Sequence, residues 1–398
     1  MSPASTPVID PVELTRDLIR RPSVTPADEG AMDVLERALA GLGFHCRRMP
    51  FGPASSSEAV GDQGVIENLY ARRGTAGPNL CFAGHTDVVP TGSPAAWSAA
   101  PFEAEIRDGV LYGRGAVDMK GGIAAWVAAV SRILAEGDVP GSLSFLITGD
   151  EEGPALHGTK KVVEALMAEG EVIDACVVGE PSSQHALGDT IKIGRRGSLN
   201  TWITVHGRQG HVAYPDRAAN PVPVLARLAA RLADHRLDEG YTAFQPSNLE
   251  LTTLDVGNTA TNLIPAEARG RLNIRFNPNH TGDSLMAWLN AEAGRAQAES
   301  GLRIELEHLH SGDAFLTEIG PFVVGVQDAV EAVTGRRPEA STTGGTSDAR
   351  FIRAMAPVLE LGLVGQTMHQ IDERAPVAEI EALTEVYRRV IETFFARL

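Results

Sequence analysis

The chain has 398 residues, 43% of them apolar and 22% charged, an ordinary balance for a water-soluble globular protein and long enough to expect two cores. Its formal charge of -16, with no run of Lys and Arg to override it, argues against a nucleic-acid partner but leaves room for a small anionic ligand wherever arginines cluster. No apolar stretch reaches the roughly eighteen residues that a membrane span needs, and "MSPASTPVIDPVELTRDLIRR" lacks the apolar run of a signal peptide. With three widely spaced cysteines, Cys46, Cys81 and Cys176, the expectation is a cytoplasmic protein with free thiols.

In chain order, helical periodicity covers 10–21 and 28–41, and the small, polar stretch "MPFGPASSSEAVGDQGVIEN" reads as a loop or irregular hairpin. Strands and helices then alternate: strand "NLCFAG", helix "GGIAAWVAAVSRILAEG", strand "GSLSFLITG", helix "GTKKVVEALMAEG", strand "DACVVG". That alternation predicts an α/β fold with a mixed, mostly parallel sheet covered by helices. After "GRRGS" the character changes. "SLNTWITVHGR" alternates polar with apolar, a helix follows near 221–235, then strands "NLELTTLDVG" and "ARGRLNIRFN", a helix near 282–299 and the strand "LRIELEHL". Half-exposed strands with helices predict an α+β domain inserted at 197–311. The first domain, 1–196, then resumes over 312–398 with a helix near 319–334, a short helix in "TSDARFIRAM", the strand "APVLELGLVG" and the helix "EALTEVYRRVIETFFARL".

Acidic and histidine residues fall where the strands of the first domain end. "NLCFAG" runs into His85 and Asp87, "GSLSFLITG" into Asp150, Glu151 and Glu152, "DACVVG" into Glu180, and "APVLELGLVGQTM" into His369, while Asp118 precedes a strong helix in "LYGRGAVDMKGG". Open α/β sheets bind ligands beyond the carboxyl ends of their strands, so these groups are expected to converge. "GRGAVD" has Asp where a dinucleotide loop needs its third glycine, and "TTGGTSD" lacks the Gly-Lys pair of a phosphate loop. Histidines and carboxylates without cysteine suit zinc or a similar divalent ion in a catalytic site. Two ions need a shared carboxylate, for which Asp118 is the natural choice, and the Glu151-Glu152 pair offers one carboxylate to a metal and one to a water as general base.

The set "GHTDVVPTG", "LYGRGAVDMKGG", "TGDEEGP", "VVGEPSS", "GRRGSL", "GRQGHVAYP", "TNLIPAEARGRLNIRFN" and "GGTSDARF" closely resembles the M20 family of di-zinc amidohydrolases, in order and over nearly the whole chain. The resemblance implies an enzyme that hydrolyses an amide with two Zn2+ per subunit, which Co2+ can replace. It implies His85 and Glu180 on one ion, Glu152 and His369 on the other, and Asp118 between them. Asp87 would orient His85, Glu151 would be the general base, and the Asp118-Met119 peptide would be cis. The inserted domain would be a dimerisation (lid) domain, and His211 would reach the partner subunit's site in a homodimer to stabilise the oxyanion.

For a small substrate carrying several carboxylates, the resemblance points to Arg195 and Arg275 as forked cationic donors. Ser198, Asn262, Gly345 and Thr346 would add neutral hydrogen bonds. One departure is visible: many relatives of this substrate class carry Asn where this chain has Gly365 in "VGQTMH".

Overall fold

The computed structural model describes residues 6–53 and 64–397; part of the loop or hairpin expected before Asn68, residues 54–63, lies outside them. The chain forms two compact units, one of residues 1–193, 317–341 and 347–398, the other of 194–316 and 342–346. Residues 342–346 belong with the second unit because Arg195 donates to the carbonyls of Thr343 at 3.3 Å and Gly345 at 3.1 Å. The expected limits, 197–311, ran from "GRRGS" to the end of a strand and had no means of including that distant loop.

The first unit is built on an eight-stranded sheet. Its order is His45–Arg48, Asn68–Arg73, Ser142–Thr148, Asn79–His85, Ala175–Val178, Val358–Glu360, Thr190–Lys192, Glu339–Ser341. Asn79–His85 lies between Ser142–Thr148 and Ala175–Val178 and is parallel to both. Every residue of Asn79–His85 is buried, which is why it reads as an unbroken apolar run rather than an alternating one. The outer pairs with Asn68–Arg73 are antiparallel, so the sheet is mixed, as the sequence predicts.

Helix Lys120–Glu136 covers this centre. Its opening glycines are required by close approach: a Cβ on Gly121 would stand 2.4 Å from the Ala116 carbonyl oxygen, and one on Gly122 would stand 2.6 Å from that of Gly179. The helix can therefore start directly beside the strand ends, with its positive N-terminal pole next to Asp118. Behind it, Phe82 stacks on Trp126 at 4.8 Å and meets Phe145 and Tyr387 edge-on at 6.1 and 5.8 Å. Tyr387 comes from the long final helix Val377–Ala396. Short strands missed by pattern reading, Glu105–Arg107, Val110–Tyr112 and Arg374–Pro376, make a separate three-stranded sheet. The expected strand "APVLELGLVG" is a regular strand only over Val358–Glu360, with an isolated parallel bridge from Val364 to Ser183, because between them Gly362 bonds to Ser182 Oγ and Ser183 Oγ.

The second unit is an antiparallel sheet of Asn248–Asp255, Glu267–Phe276, Gly197–His206 and Ile304–Gly312. Helices Val222–Ala233 and Gly282–Ser300 close its core, which includes Leu199, Ile203, Leu228, Leu272, Phe276 and Leu289. Burial alternates along Glu267–Phe276, the period that marks a sheet with one face packed. The three cysteines are free, with Cys81 and Cys176 buried.

The aromatic cluster behind the central strand fixes where that strand ends. Phe82→Ala is expected to cost about 3–5 kcal/mol in denaturant unfolding followed by circular dichroism; a cost below about 1 kcal/mol would contradict this packing.

Candidate metal centre

His85 is the last residue of the central strand, and its imidazole is fixed on both sides. Nδ1 lies 2.8 Å from the main-chain carbonyl of Asp87. A carbonyl only accepts, so Nδ1 carries the proton in the neutral ring and Nε2 is left for a metal. Nε2 stands 3.2 Å from Asp118 Oδ1 and 3.7 Å from Glu180 Oε1. On the other side of Asp118, Oδ2 is 3.2 Å from His369 Nε2, which is 2.9 Å from Glu152 Oε1. The ligand-type atoms of His85, Asp118 and Glu180, and separately those of Asp118, Glu152 and His369, lie within 4.8 Å of one another. Asp118 belongs to both sets, each of its oxygens serving one. His85, Glu151 and Glu152 form a further set under the same limit.

The Asp118-Met119 peptide is cis. His369 holds φ at 61°, a left-handed conformation uncommon outside glycine that brings its ring back toward Asp118. This histidine follows the turn Gly365–Thr367 rather than a strand end, so the expected convergence at strand ends reaches it only through a loop. A Cβ on Gly365 would stand 3.0 Å from the Pro181 carbonyl oxygen and 3.4 Å from Met368 Sδ, so the local structure leaves little space for a side chain at this position.

Asp87, expected to orient His85, lies beside that ring's Nδ1 with both main-chain carbonyl and carboxylate. Its main chain orients His85, while its buried carboxylate, with Oδ1 3.7 Å from the ring, accepts from the amides of Glu151 at 3.2 Å and Glu152 at 3.0 Å. Asp150 fastens the same loop from its far side, accepting from the amides of Ala155, Leu156 and His157. The Glu-Glu pair is thus held by its backbone, leaving both side chains to face the site. Sequence reading missed Asp150 in this role, because an acid after a strand usually reads as a solvated turn residue.

The electrostatics suit a site built for cations. Burial pulls the His85 imidazolium down, yet Asp118, Glu180 and Asp87 outweigh it and hold its pKa well above the usual value. Bonds to Asp118 and Glu152 raise His369 to about 10. Burial pushes Asp118 up, but His369 and His85 overcome it and hold the carboxylate ionised well below its ordinary range. Glu180 is raised by burial and by Asp118. Glu151 is raised well above a normal glutamate by burial, partly offset by His85, with Asp348 and Glu152 adding to the rise. Asp87 is pushed to about 7 by burial, against the pull of His85 and the two amides. The protons on the histidines occupy the positions that divalent ions would take, and the all-nitrogen-and-oxygen donor sets fit such ions.

The remaining expected residues lie in the second unit. Arg195 is buried and donates to Gly345. Ser198 and Arg275 are register partners across two strands, joined through Asn273, whose amide donates to Ser198 Oγ and whose carbonyl accepts from Arg275 Nε. His211 is exposed, its Nδ1 accepting from the Ala213 amide at 3.0 Å, and the Asn262 carbonyl accepts from the Val212 amide beside it at 3.1 Å. Thr346 closes the loop that begins at Thr342.

Comparison with known proteins finds relatives over nearly the whole chain. Residues 81–393 match the model of peptidase family M20/M25/M40. The chain is 65% identical over 388 residues to a succinyl-diaminopimelate desuccinylase of Phenylobacterium zucineum (strain HLK1), covering 98% of this chain and 99% of that one. It is 64% identical over 397 residues to that of Caulobacter vibrioides (strain ATCC 19089 / CIP 103742 / CB 15), covering 99% of each. Among solved structures, an M20 family metallo-carboxypeptidase of Sulfolobus solfataricus shares the fold with TM-score 0.79 at 16% identity, over 98% of this chain and 100% of that one. A dinuclear metal-binding peptidase of Bacillus subtilis does so with TM-score 0.69 at 16% identity, over 98% and 97%.

A cation entering the Asp118, Glu152 and His369 set must displace the His369 proton, held with a pKa of about 10. Metal affinity is therefore expected to rise with pH up to about 10, and binding near neutral pH should release protons. Calorimetry in buffers of different ionisation enthalpy reads this directly, and binding without proton release would contradict it.

Proposed function

The chain belongs to peptidase family M20/M25/M40, and from that membership we propose that it hydrolyses N-succinyl-LL-2,6-diaminopimelate to succinate and LL-2,6-diaminopimelate, a step toward lysine and diaminopimelate. The observation that carries this reading is 65% identity, over 98% of the chain, to a relative named for that reaction. The donor sets around Asp118 support a hydrolytic, metal-dependent activity.

In this reading His85 and Glu180 hold one Zn2+, Glu152 and His369 the other, and Asp118 lies between them; Co2+ can take their place. When bound, the ions supply a Lewis acid for the amide carbonyl and a lowered pKa for the attacking water. Glu151 takes the proton from that water and delivers it to the amine nitrogen as the carbon–nitrogen bond breaks. In the metal-free site burial raises the proton affinity of Glu151, which works against the fall that two nearby cations would bring. Asp87 keeps Glu151 in reach by holding its amide.

Arg195 and Arg275 pair with the substrate carboxylates, and Ser198, Asn262, Gly345 and Thr346 add neutral hydrogen bonds. The homodimer forms through the second unit, and His211 reaches the partner's site to stabilise the oxyanion. The family resemblance supports these assignments, as does the exposure of His211 on the second unit. No helix among the described residues is long and apolar enough to cross a membrane, and a cytoplasmic location accords with the free cysteines.

A substrate panel with the zinc-loaded protein tests the reading. Succinyl-diaminopimelate is expected to turn over fastest, with succinate and diaminopimelate in equal amounts. Faster turnover of acetylornithine or of an N-acyl amino acid would assign the chain to another deacylase of the family. Glu151→Gln should keep both ions and lose about 10²–10⁴-fold in kcat, whereas Glu152→Gln should lose occupancy of one position by elemental analysis. Equal metal loss in the two variants would contradict the division of roles.

A further inference from the structure

Arg114 and Glu373 form a buried ion pair with no part in the chemistry above. Glu373 is 0% exposed and Arg114 2%. Glu373 Oε2 accepts from Arg114 Nη1 at 2.7 Å and from the Gly115 amide at 3.0 Å. Its Oε1 accepts from the amides of Val117 at 2.9 Å and Asp118 at 3.1 Å. The Glu373 carbonyl accepts from the Gly113 amide at 2.9 Å. The guanidinium of Arg114 also donates to the carbonyls of Gln370 at 3.2 Å and Pro90 at 3.3 Å.

These bonds tie together three segments that carry metal-type donors. Pro90 follows His85 and Asp87, Gly113 to Asp118 leads to the shared carboxylate, and Gln370 to Glu373 follows His369. The last two segments are also joined as strands, with Arg374 opposite Tyr112 and Ala375 opposite Leu111. Within the 369–373 turn, His369 and Asp372 both hold positive φ, 61° and 58°, a conformation that persists only where surrounding contacts enforce it. A buried carboxylate receiving main-chain amides is rigid, because no water is at hand to replace any donor.

We propose that the Arg114–Glu373 pair is a positioning device that sets the separation of Asp118 and His369, and through them the second metal position. The proposal rests on the dinuclear reading above. Glu373 acts through the Asp118 amide and the turn bearing His369, without touching substrate or ion. The other position depends on it less: of its donors the pair holds only Asp118 directly, reaching the segment after His85 only through the Pro90 carbonyl at 3.3 Å. In the second position it holds both Asp118 and the turn that bears His369.

Glu373→Gln keeps one acceptor oxygen but turns a donor toward main-chain amides. Zinc competition titrations of metal-free wild type, Glu373→Gln and Arg114→Lys, each checked by circular dichroism, provide the test. Two equivalents are expected in the wild type. In Glu373→Gln the second should weaken by about 10–100-fold while the first stays near wild type, and kcat should fall with KM unchanged. Arg114→Lys keeps the charge but loses the fork to Pro90 and Gln370, and should shift the second equivalent in the same direction by a smaller factor; it decides the matter if Glu373→Gln does not fold. Unchanged binding of both equivalents, or equal loss of both, overturns the positioning role while leaving the dinuclear reading intact. Fewer than two equivalents in the wild type overturns both.

Discussion

The carboxylate of Asp118, placed between the imidazoles of His85 and His369 at 3.2 Å from each, is the contact on which the rest of this protein depends. A buried carboxylate is costly unless something cationic faces it. Here both oxygens face nitrogen, and the amide of the same residue is held by Glu373. The parallel sheet and the helix starting at Lys120 deliver this arrangement by ending together at one place. The glycines at 121 and 122 let helix and strand loops approach closely enough for that to happen.

The same logic explains why charge is spent so heavily in one location. Burial raises Glu151 and Glu180, and neighbouring acids raise them further. Those acids also keep both imidazoles protonated above their ordinary range. Such a cluster balances only when cations enter it, which ties metal affinity to proton release. Asp87 shows how economical the arrangement is. Its carbonyl sets the His85 tautomer, and its carboxylate fixes the backbone of the base and of a neighbouring donor.

Much of this was legible in the sequence because buried parallel strands leave unbroken apolar runs, and "NLCFAG", "GSLSFLITG" and "DACVVG" each lead within three residues to a member of the donor sets: His85, Glu151 with Glu152, and Glu180. The alternation of Glu267–Phe276 likewise marked a sheet with one packed face. What could not be read depends on contacts between distant residues. Arg114 and Glu373 are 259 positions apart, and each alone looks like an ordinary surface charge. The strands Glu105–Arg107, Val110–Tyr112 and Arg374–Pro376 are too short to show a period. The loop 342–346 clusters with the second unit through main-chain carbonyls, which carry no side-chain signature.

The central claim is that two cations share Asp118. Anomalous diffraction at the zinc edge from crystals of the zinc-loaded protein measures this most directly. Two peaks about 3.5–4 Å apart are expected, one beside His85 and Glu180 and the other beside Glu152 and His369, with an Asp118 oxygen on each. A single peak, or two peaks that do not share Asp118, would contradict the account.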